Sequence, residues 1–343
     1  MRHVIVGAGV GGLSLAQELV EAGQKDVLLF DRRGKDQCRN KLCADGVTFT
    51  WMKRFPYLED FVVQPVYSVH GDLFGKHYSV SVSHKPLVSI INRQKLYDFL
   101  SGGLNISYTA PVVDANRDMI ELKGGEKVGG RVYGADGSTS IIRRNWYKER
   151  RPVYMCFQSN IPTKRTSILL KVRYGGKFAS PGSLNVCYEF PHGNYTKAGV
   201  GFGLFVPQKP RGISSFGLNI SGKWVGDYTL IRKSGIDVVG DVRAPGYSAY
   251  PIGCDWIDDD RLVGDARGAA YILTGEGIGP ALATAHGAVH PHSEIYKTYL
   301  RHKKLEDWIG KKIWFEHHLE WVRIGVPLGV KLFPWFYKLW TGL

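Results

Sequence analysis

Residues 3–16 read HVIVGAGVGGLSLA, and this stretch decides the fold. His3 to Val6 form a short β-branched run, as a strand buried on both faces of a parallel sheet requires. Gly7-Ala8-Gly9-Val10-Gly11-Gly12 follows, and residues 13–23, LSLAQELVEAG, carry a helical period. A second apolar run, DVLLFD, ends at Asp31, 19 residues past Gly12, with Arg32 next. Strand, glycine turn, helix, strand and acid is the order of a dinucleotide-binding unit. The glycines permit a tight turn and close approach to a pyrophosphate, and the helix N-terminus offers free N–H groups to its charge. Asp31 is placed to accept from ribose hydroxyls, and Ala8 and Arg32 count with the cofactor-binding residues. This loop by itself fits NAD and FAD equally.

A second loop lies far along the chain. Residues 263–279 read VGDARGAAYILTGEGIG, after the apolar RLV and before the helix-like PALATAHGAV. Asp265 at a strand end can hold ribityl or ribose hydroxyls. The N–H groups around Gly277 and Ile278 can point at the pyrimidine edge of a flavin, where a helix N-terminus stabilises negative charge. NAD needs no second site; FAD does, because its ring lies far from its adenosine. Two loops therefore point to one long cofactor, FAD, held at both ends. Between them, residues 131–140 read RVYGADGSTS. Asp136 and Gly137 there either close under the pyrophosphate or make an ordinary turn.

These three segments, in this order, resemble the FAD-dependent aromatic hydroxylase-like flavoproteins. GDA-x-G followed by TGEGI is similar to the geranylgeranyl reductase family within them. Residues 39–46, RNKLCADG, and 91–100, INRQKLYDFL, are similar to further segments of that family. The resemblance spans roughly residues 3–290. It implies a Rossmann-like FAD/NAD(P)-binding domain of discontinuous segments (α/β), an antiparallel β-sheet substrate domain and a helical C-terminus. It implies that Cys43, Ala44 and Gly46 pass near the isoalloxazine, and that Arg93 and the strand around Val112 contact the cofactor. It implies a substrate pocket under residues 186–191, VCYEFP, with Tyr188, Phe190 and Pro191 at the matching positions. Departures stand at Val186 for a tyrosine, Tyr188 for a tryptophan, Arg267 for a small residue, Ile272 for a proline and Ala44 for a glycine.

The implied reaction is reduction of C=C bonds in a polyprenyl chain on a lipid or quinone. It needs a hydride and a proton, and an unactivated alkene has no carbonyl to polarise. Cys43 is the candidate catalytic residue, as proton donor or positioner, its thiol tuned by Lys41 or Arg39; the bland reading is a small apolar residue packed beside the cofactor. No second GxGxxG is present for a resident nicotinamide, so a transient donor, NAD(P)H or a small redox protein, supplies electrons. A flavin monooxygenase or halogenase of the same fold is the alternative, and a non-catalytic lipid-binding module a third reading. His290 and His292 flank Pro291, and His317 and His318 are adjacent; neither pair has i, i+4 spacing, so no metal site is expected.

The 343 residues suffice for two domains, and 44% hydrophobic with 22% charged residues is a globular composition. Five irregularly spaced cysteines fit a reducing compartment, and neither a signal peptide nor a spanning helix is expected. The expected division is 1–60, 86–150 and 251–292 for FAD, 61–85 and 151–250 for the substrate sheet, and 293–343 for the helical C-terminal region. A net charge of +14 favours an acidic lipid surface or is simply a solvated basic face, and no nucleic-acid motif accompanies it. Five of the nine tryptophans fall between 308 and 340, mixed with lysines. That stretch reads as a bilayer-interface segment or as helices covering the substrate cavity. The expected location is cytoplasmic, peripheral on the inner membrane face.

Overall fold

The computed structural model describes residues 1–73, 76–148, 154–174, 184–203, 248–252, 256–271 and 274–310. The strand His3–Val6 is buried at every position and pairs in parallel with Val27–Phe30 on one side and Arg131–Gly134 on the other. Ile106–Ser107 extends this sheet beyond Val27–Phe30. Leu262 extends it beyond Gly134, through a single parallel bridge rather than the full strand expected of RLV. The segments before the first loop, the GADG turn and the second loop thus run side by side, and all three turns leave the same carboxyl edge. That edge is where open parallel sheets bind ligands.

The helix Val10–Glu21 follows the first loop and buries Leu13, Leu15, Ala16 and Leu19. The helix Ile278–Val289 follows the second loop and packs beside it. Both contribute to one core cluster with Trp51, Met52, Tyr97, Tyr271 and Tyr299. A three-stranded meander, residues 112–129, packs Ile120 and Val128 with Phe30 and Val132 in a second cluster.

Among the described residues the large sheet has seven strands, in spatial order 248–252, 154–161, 195–203, 184–192, 168–174, 68–73 and 76–81. Residues 62–66 do not join it as the reading of 61–85 anticipated. They pair with Val88–Ile91, which also pairs with Gly46–Thr48 in a separate small sheet. That small sheet connects the Cys43 segment to the large sheet. Residues 204–247 and 311–343, and with the latter the aromatic-basic stretch, lie outside the described residues. Among the described residues no helix is long and apolar enough to cross a membrane. The described helix Glu294–Gly310 packs on Ile278–Val289.

Candidate functional site

The first loop has two kinds of glycine. A Cβ on Gly12 would lie 1.9 Å from the Gly7 carbonyl oxygen, and Gly7 holds φ +109° with Ala135 O only 2.3 Å from where its Cβ would stand. These two close helix on strand and first loop on GADG turn. A Cβ on Gly9 would meet nothing within 4 Å, and Gly137 is equally open, so the surface facing the strand ends keeps a cradle. Asp31 is buried and accepts from the Ala8 N–H at 2.8 Å, from the Arg33 N–H at 2.9 Å and from the Arg33 guanidinium at 3.0 and 2.9 Å. These bonds occupy its acceptor positions. Burial opposes its ionisation, but Arg33 outweighs that and holds the pKa below the usual value. Asp31 therefore shapes the loop, and a ribose hydroxyl would have to displace Arg33. Arg32, the residue singled out in sequence, is exposed.

Asp136 accepts from the N–H groups of Ile141, at 2.7 Å, and Ile142, at 3.3 Å, and burial raises its pKa. Its carboxylate starts the helix Ile141–Tyr147, while its backbone lies against Gly7. Val112 packs into the cluster of Phe30 and Val132.

The second loop meets the Cys43 segment. Lys41 Nζ stands 3.7 Å from the Asp265 carboxylate. Glu276, inside TGEGI, accepts from Thr48 N–H at 2.9 Å and Thr48 Oγ1 at 3.0 Å. Gly277 caps the helix that begins at Ile278, whose first-turn N–H groups have no partner within the helix. Arg267 points away from this edge: it is fully buried, pairs with Asp258 at 2.9 Å and donates to the Tyr296 hydroxyl.

Burial pushes the Glu276 carboxyl up to about 7, against the hydrogen bonds from Thr48. The folded chain thus holds this proton more tightly than the unfolded chain, with its ordinary value of 4.5. The contribution to stability is complete below pH 4.5 and is lost as pH rises to about 7. Glu276→Gln keeps the acceptor for Thr48 and removes the titration. Its stability relative to the parent is expected to rise by about 3 kcal/mol across that window. Urea unfolding of both proteins at a series of pH values measures this; a difference that does not vary with pH would mean that Glu276 keeps its ordinary pKa in the folded chain.

Cys43, Ala44 and Gly46 are half-buried between the second loop and the large sheet. The Cys43 carbonyl accepts from Gln158 Nε2 and from Lys197 Nζ, each at 3.2 Å, and its Sγ accepts from the Asp45 N–H at 3.3 Å. A Cβ on Gly46 would lie 2.9 Å from the Phe190 ring. Tyr188 meets Phe190 edge-on at 5.8 Å and donates to Gln158 Oε1, while Pro191 is buried in the same strand. The structure thus brings Cys43, Gly46, Tyr188 and Phe190 together.

At the centre of this contact is Asp45, which holds φ +62° and is buried. Its carboxylate contacts Lys197 Nζ, His192 Nε2 at 3.3 Å and Arg93 Nε at 3.9 Å. Burial opposes its ionisation, yet His192, Lys197 and Arg93 hold its pKa below the usual range. The charges expected to tune Cys43 are corrected here. Arg39 is taken by Asp98 at 2.8 Å and Lys41 by Asp265. Burial first, then Asp45, raises the Cys43 pKa, so the thiol keeps its proton. Arg93 donates to the carbonyls of Arg39 and Lys41, so it braces the segment.

Sequence reading passed over Asp45, Glu276, Arg33, Gln158, His192 and Lys197. The first two stood inside quoted motifs. Gln158, His192 and Lys197 carry no local signal, because their partners lie more than 100 residues away.

Residues 5–35 match the family of NAD(P)-binding Rossmann-like domains. None of the curated proteins matches the chain. Among solved structures, the chain is similar to a geranylgeranyl bacteriochlorophyll reductase-like protein from Thermoplasma acidophilum. The identity is 17%, the coverage 91% of this chain and 86% of that one, and the TM-score 0.58. It is similar to the tetrameric form of 2-methyl-3-hydroxypyridine-5-carboxylic acid oxygenase, at 18% identity, 93% of each chain and a TM-score of 0.58. It is also similar to a variant of Klebsiella pneumoniae HpxO complexed with FAD, at 15% identity, 100% of this chain and 95% of that one, and a TM-score of 0.55. At such identities the likeness is one of fold: the chain has the fold of these proteins, one of which holds FAD.

Proposed function

We propose that this chain is an FAD-dependent oxidoreductase that reduces C=C bonds of a polyprenyl chain on a lipid or quinone. The observation that carries the reading is the place of the Cys43–Gly46 segment, between the second loop and the Tyr188–Phe190 wall of the large sheet. The residues fit a long cofactor: an open cradle at Gly9 and Gly137 at one end, and at the other the N-terminus of Ile278–Val289, which no side chain caps among the described residues. When bound, reduced FAD supplies the hydride and is renewed by NAD(P)H or a small redox protein.

This chain's own residues supply the rest. Gly9 and the first helical turn bind the phosphates, and Asp265 and the Gly277–Ile278 backbone bind the ribityl and ring end. Tyr188 and Phe190 present an apolar wall that orients a hydrocarbon and excludes water. The Cys43 thiol, which burial keeps protonated at neutral pH, would give its proton to one alkene carbon, and the thiolate would regain a proton from solvent. Hydride and proton together saturate one double bond. Asp45, Lys197 and Gln158 hold Cys43 in place. The resemblance of TGEGI and RNKLCADG to geranylgeranyl reductases supports the prenyl substrate, as does the likeness to a Thermoplasma protein described as geranylgeranyl bacteriochlorophyll reductase-like. The +14 charge supports a peripheral position on an acidic lipid surface, from which a long isoprenoid would enter.

The test is anaerobic: reduce the protein with dithionite, add a geranylgeranyl lipid or prenylquinone, and follow product mass and flavin spectrum. Mass gains in steps of two hydrogens with reoxidised flavin support the reading. Reduced flavin that persists until oxygen is admitted, with a substrate that gains one oxygen, replaces it with a monooxygenase. In parallel, Gly9→Val is expected to lose bound FAD while the stability of the flavin-free protein changes by no more than about 1 kcal/mol. Normal flavin content in that variant would take the pyrophosphate away from Gly9.

A further inference from the structure

The helices that follow the two loops meet again at their far ends. Glu18 on Val10–Glu21 directs one carboxylate oxygen at His286 Nδ1, 2.9 Å away, and the other at His290 Nε2, 3.5 Å away. His286, in the last turn of Ile278–Val289, and His290, the residue that caps its C-terminus, are spaced i, i+4, with ring centroids 4.7 Å apart. The three ligand atoms lie within 4.8 Å of one another. We propose that Glu18, His286 and His290 bind a divalent transition-metal ion of the zinc class.

Two imidazoles and one carboxylate form a donor set that zinc takes in tetrahedral sites. Metal–ligand bonds of about 2.1 Å place tetrahedral donors about 3.4 Å apart. Glu18 Oε1 faces His286 and Oε2 faces His290, so each imidazole meets its own carboxylate oxygen, and an ion would enter as the side chains turn to bring the three donors about it. The helix spacing i, i+4 puts both rings on one face, and that face is the one turned to Glu18. Glu18 and His286 are only 17% and 18% exposed, which fixes them, while His290 is 48% exposed, which gives an ion a way in. An open cleft of about 530 Å³ adjoins the cluster, lined by Val289, Pro291, His292 and Ser293 as well as the two histidines. It has room for water or a further ligand on the ion's open position. The ion would staple the two helices whose opposite ends start at the two loops. The histidine pairs weighed in sequence, 290 with 292 and 317 with 318, passed over His286 with His290, whose i, i+4 spacing is local, while Glu18 stands more than 260 residues away and carries no local signal.

The test needs no flavin chemistry. Protein stripped with EDTA and dialysed is titrated with zinc chloride by calorimetry, and with cobalt(II) by visible absorption. One ion per chain is expected, with a tetrahedral cobalt spectrum free of thiolate charge-transfer bands and a raised thermal midpoint. His290→Ala and Glu18→Gln, each checked for native circular dichroism, are expected to weaken binding by about ten-fold or more, while His77→Ala leaves it unchanged. Absence of stoichiometric binding in the parent overturns the proposal and leaves a Glu–His hydrogen-bonded cluster. Undiminished binding in both variants, or a thiolate band, also overturns it by placing the ion elsewhere.

Discussion

Asp45→Asn is expected to lower the stability of the folded chain by about 3–5 kcal/mol, because it leaves buried cations without their counter-charge. Asn fits the same space and tolerates the left-handed backbone that Asp45 adopts, so the change is one of charge. Lys197, His192 and Arg93 all face this carboxylate, and each is at most 13% exposed. The same substitution removes the carboxylate that helps raise the Cys43 pKa and keeps Arg93 and Lys197, which lower it. Alkylation of Cys43 near neutral pH is therefore expected to speed up. The pH dependence has a definite sign. With a native pKa below the ordinary value, the carboxylate's contribution is present above the unfolded value and is lost as pH falls through the native one. Parent and variant should thus converge in stability in acid, below about pH 4. Urea unfolding and timed alkylation check both. Equal stability at neutral pH would mean the cations are solvated and the cluster is not dry; an unchanged alkylation rate would separate Asp45 from Cys43.

Gly12→Ala is expected to cost about 3 kcal/mol or more, as overpacking does where no side chain can yield. Its new Cβ would stand 1.9 Å from the Gly7 carbonyl oxygen and 3.1 Å from Ala135 Cβ. The obstacle is backbone, held by the Gly7 N–H to Phe30 carbonyl bond of 2.7 Å. Relief requires the first helix to lift off the sheet, which opens the core at Leu13, Leu15 and Ala16. The contrast with Gly9→Val, three residues away, makes the result interpretable. One glycine is required by packing and the other by the space it leaves open. Thermal and urea unfolding of the two variants, with flavin content measured alongside, distinguish the roles. A Gly12→Ala protein of parental stability would mean that helix and strand stand farther apart than these distances.

The division between legible and illegible follows from range. Residues 3–31 declared their elements because every determinant is local: β-branched residues for a strand, glycines for the turn, a 3.6-residue period for the helix. TGEGI and RNKLCADG were visible as motifs, yet the individual partners were not. Arg39 and Lys41 neighbour Cys43 in sequence and still spend their charge on Asp98 and Asp265. Arg33, not Arg32, turned to Asp31, because the chain after the strand end places the second arginine over the carboxylate. Residues 61–85 as a whole were expected to join the large sheet; 68–73 and 76–81 do, while 62–66 pair with Val88–Ile91, because strand-forming residues name no partner.

What the sequence determined by itself was the Rossmann-like unit, the presence of a second loop after a parallel segment, and the strand-rich middle of the chain. Each rests on short-range periodicity and on the steric demands of glycine, which act within a few residues. Only the tertiary structure decided that the two loops share one sheet edge, that Asp45 gathers Lys197, His192 and Arg93, and that Glu18 faces His286 and His290. Those pairings join residues 48 to 272 positions apart. Burial then sets their energies, since a charge removed from water must find its partner wherever the packing of sheets and helices brings one.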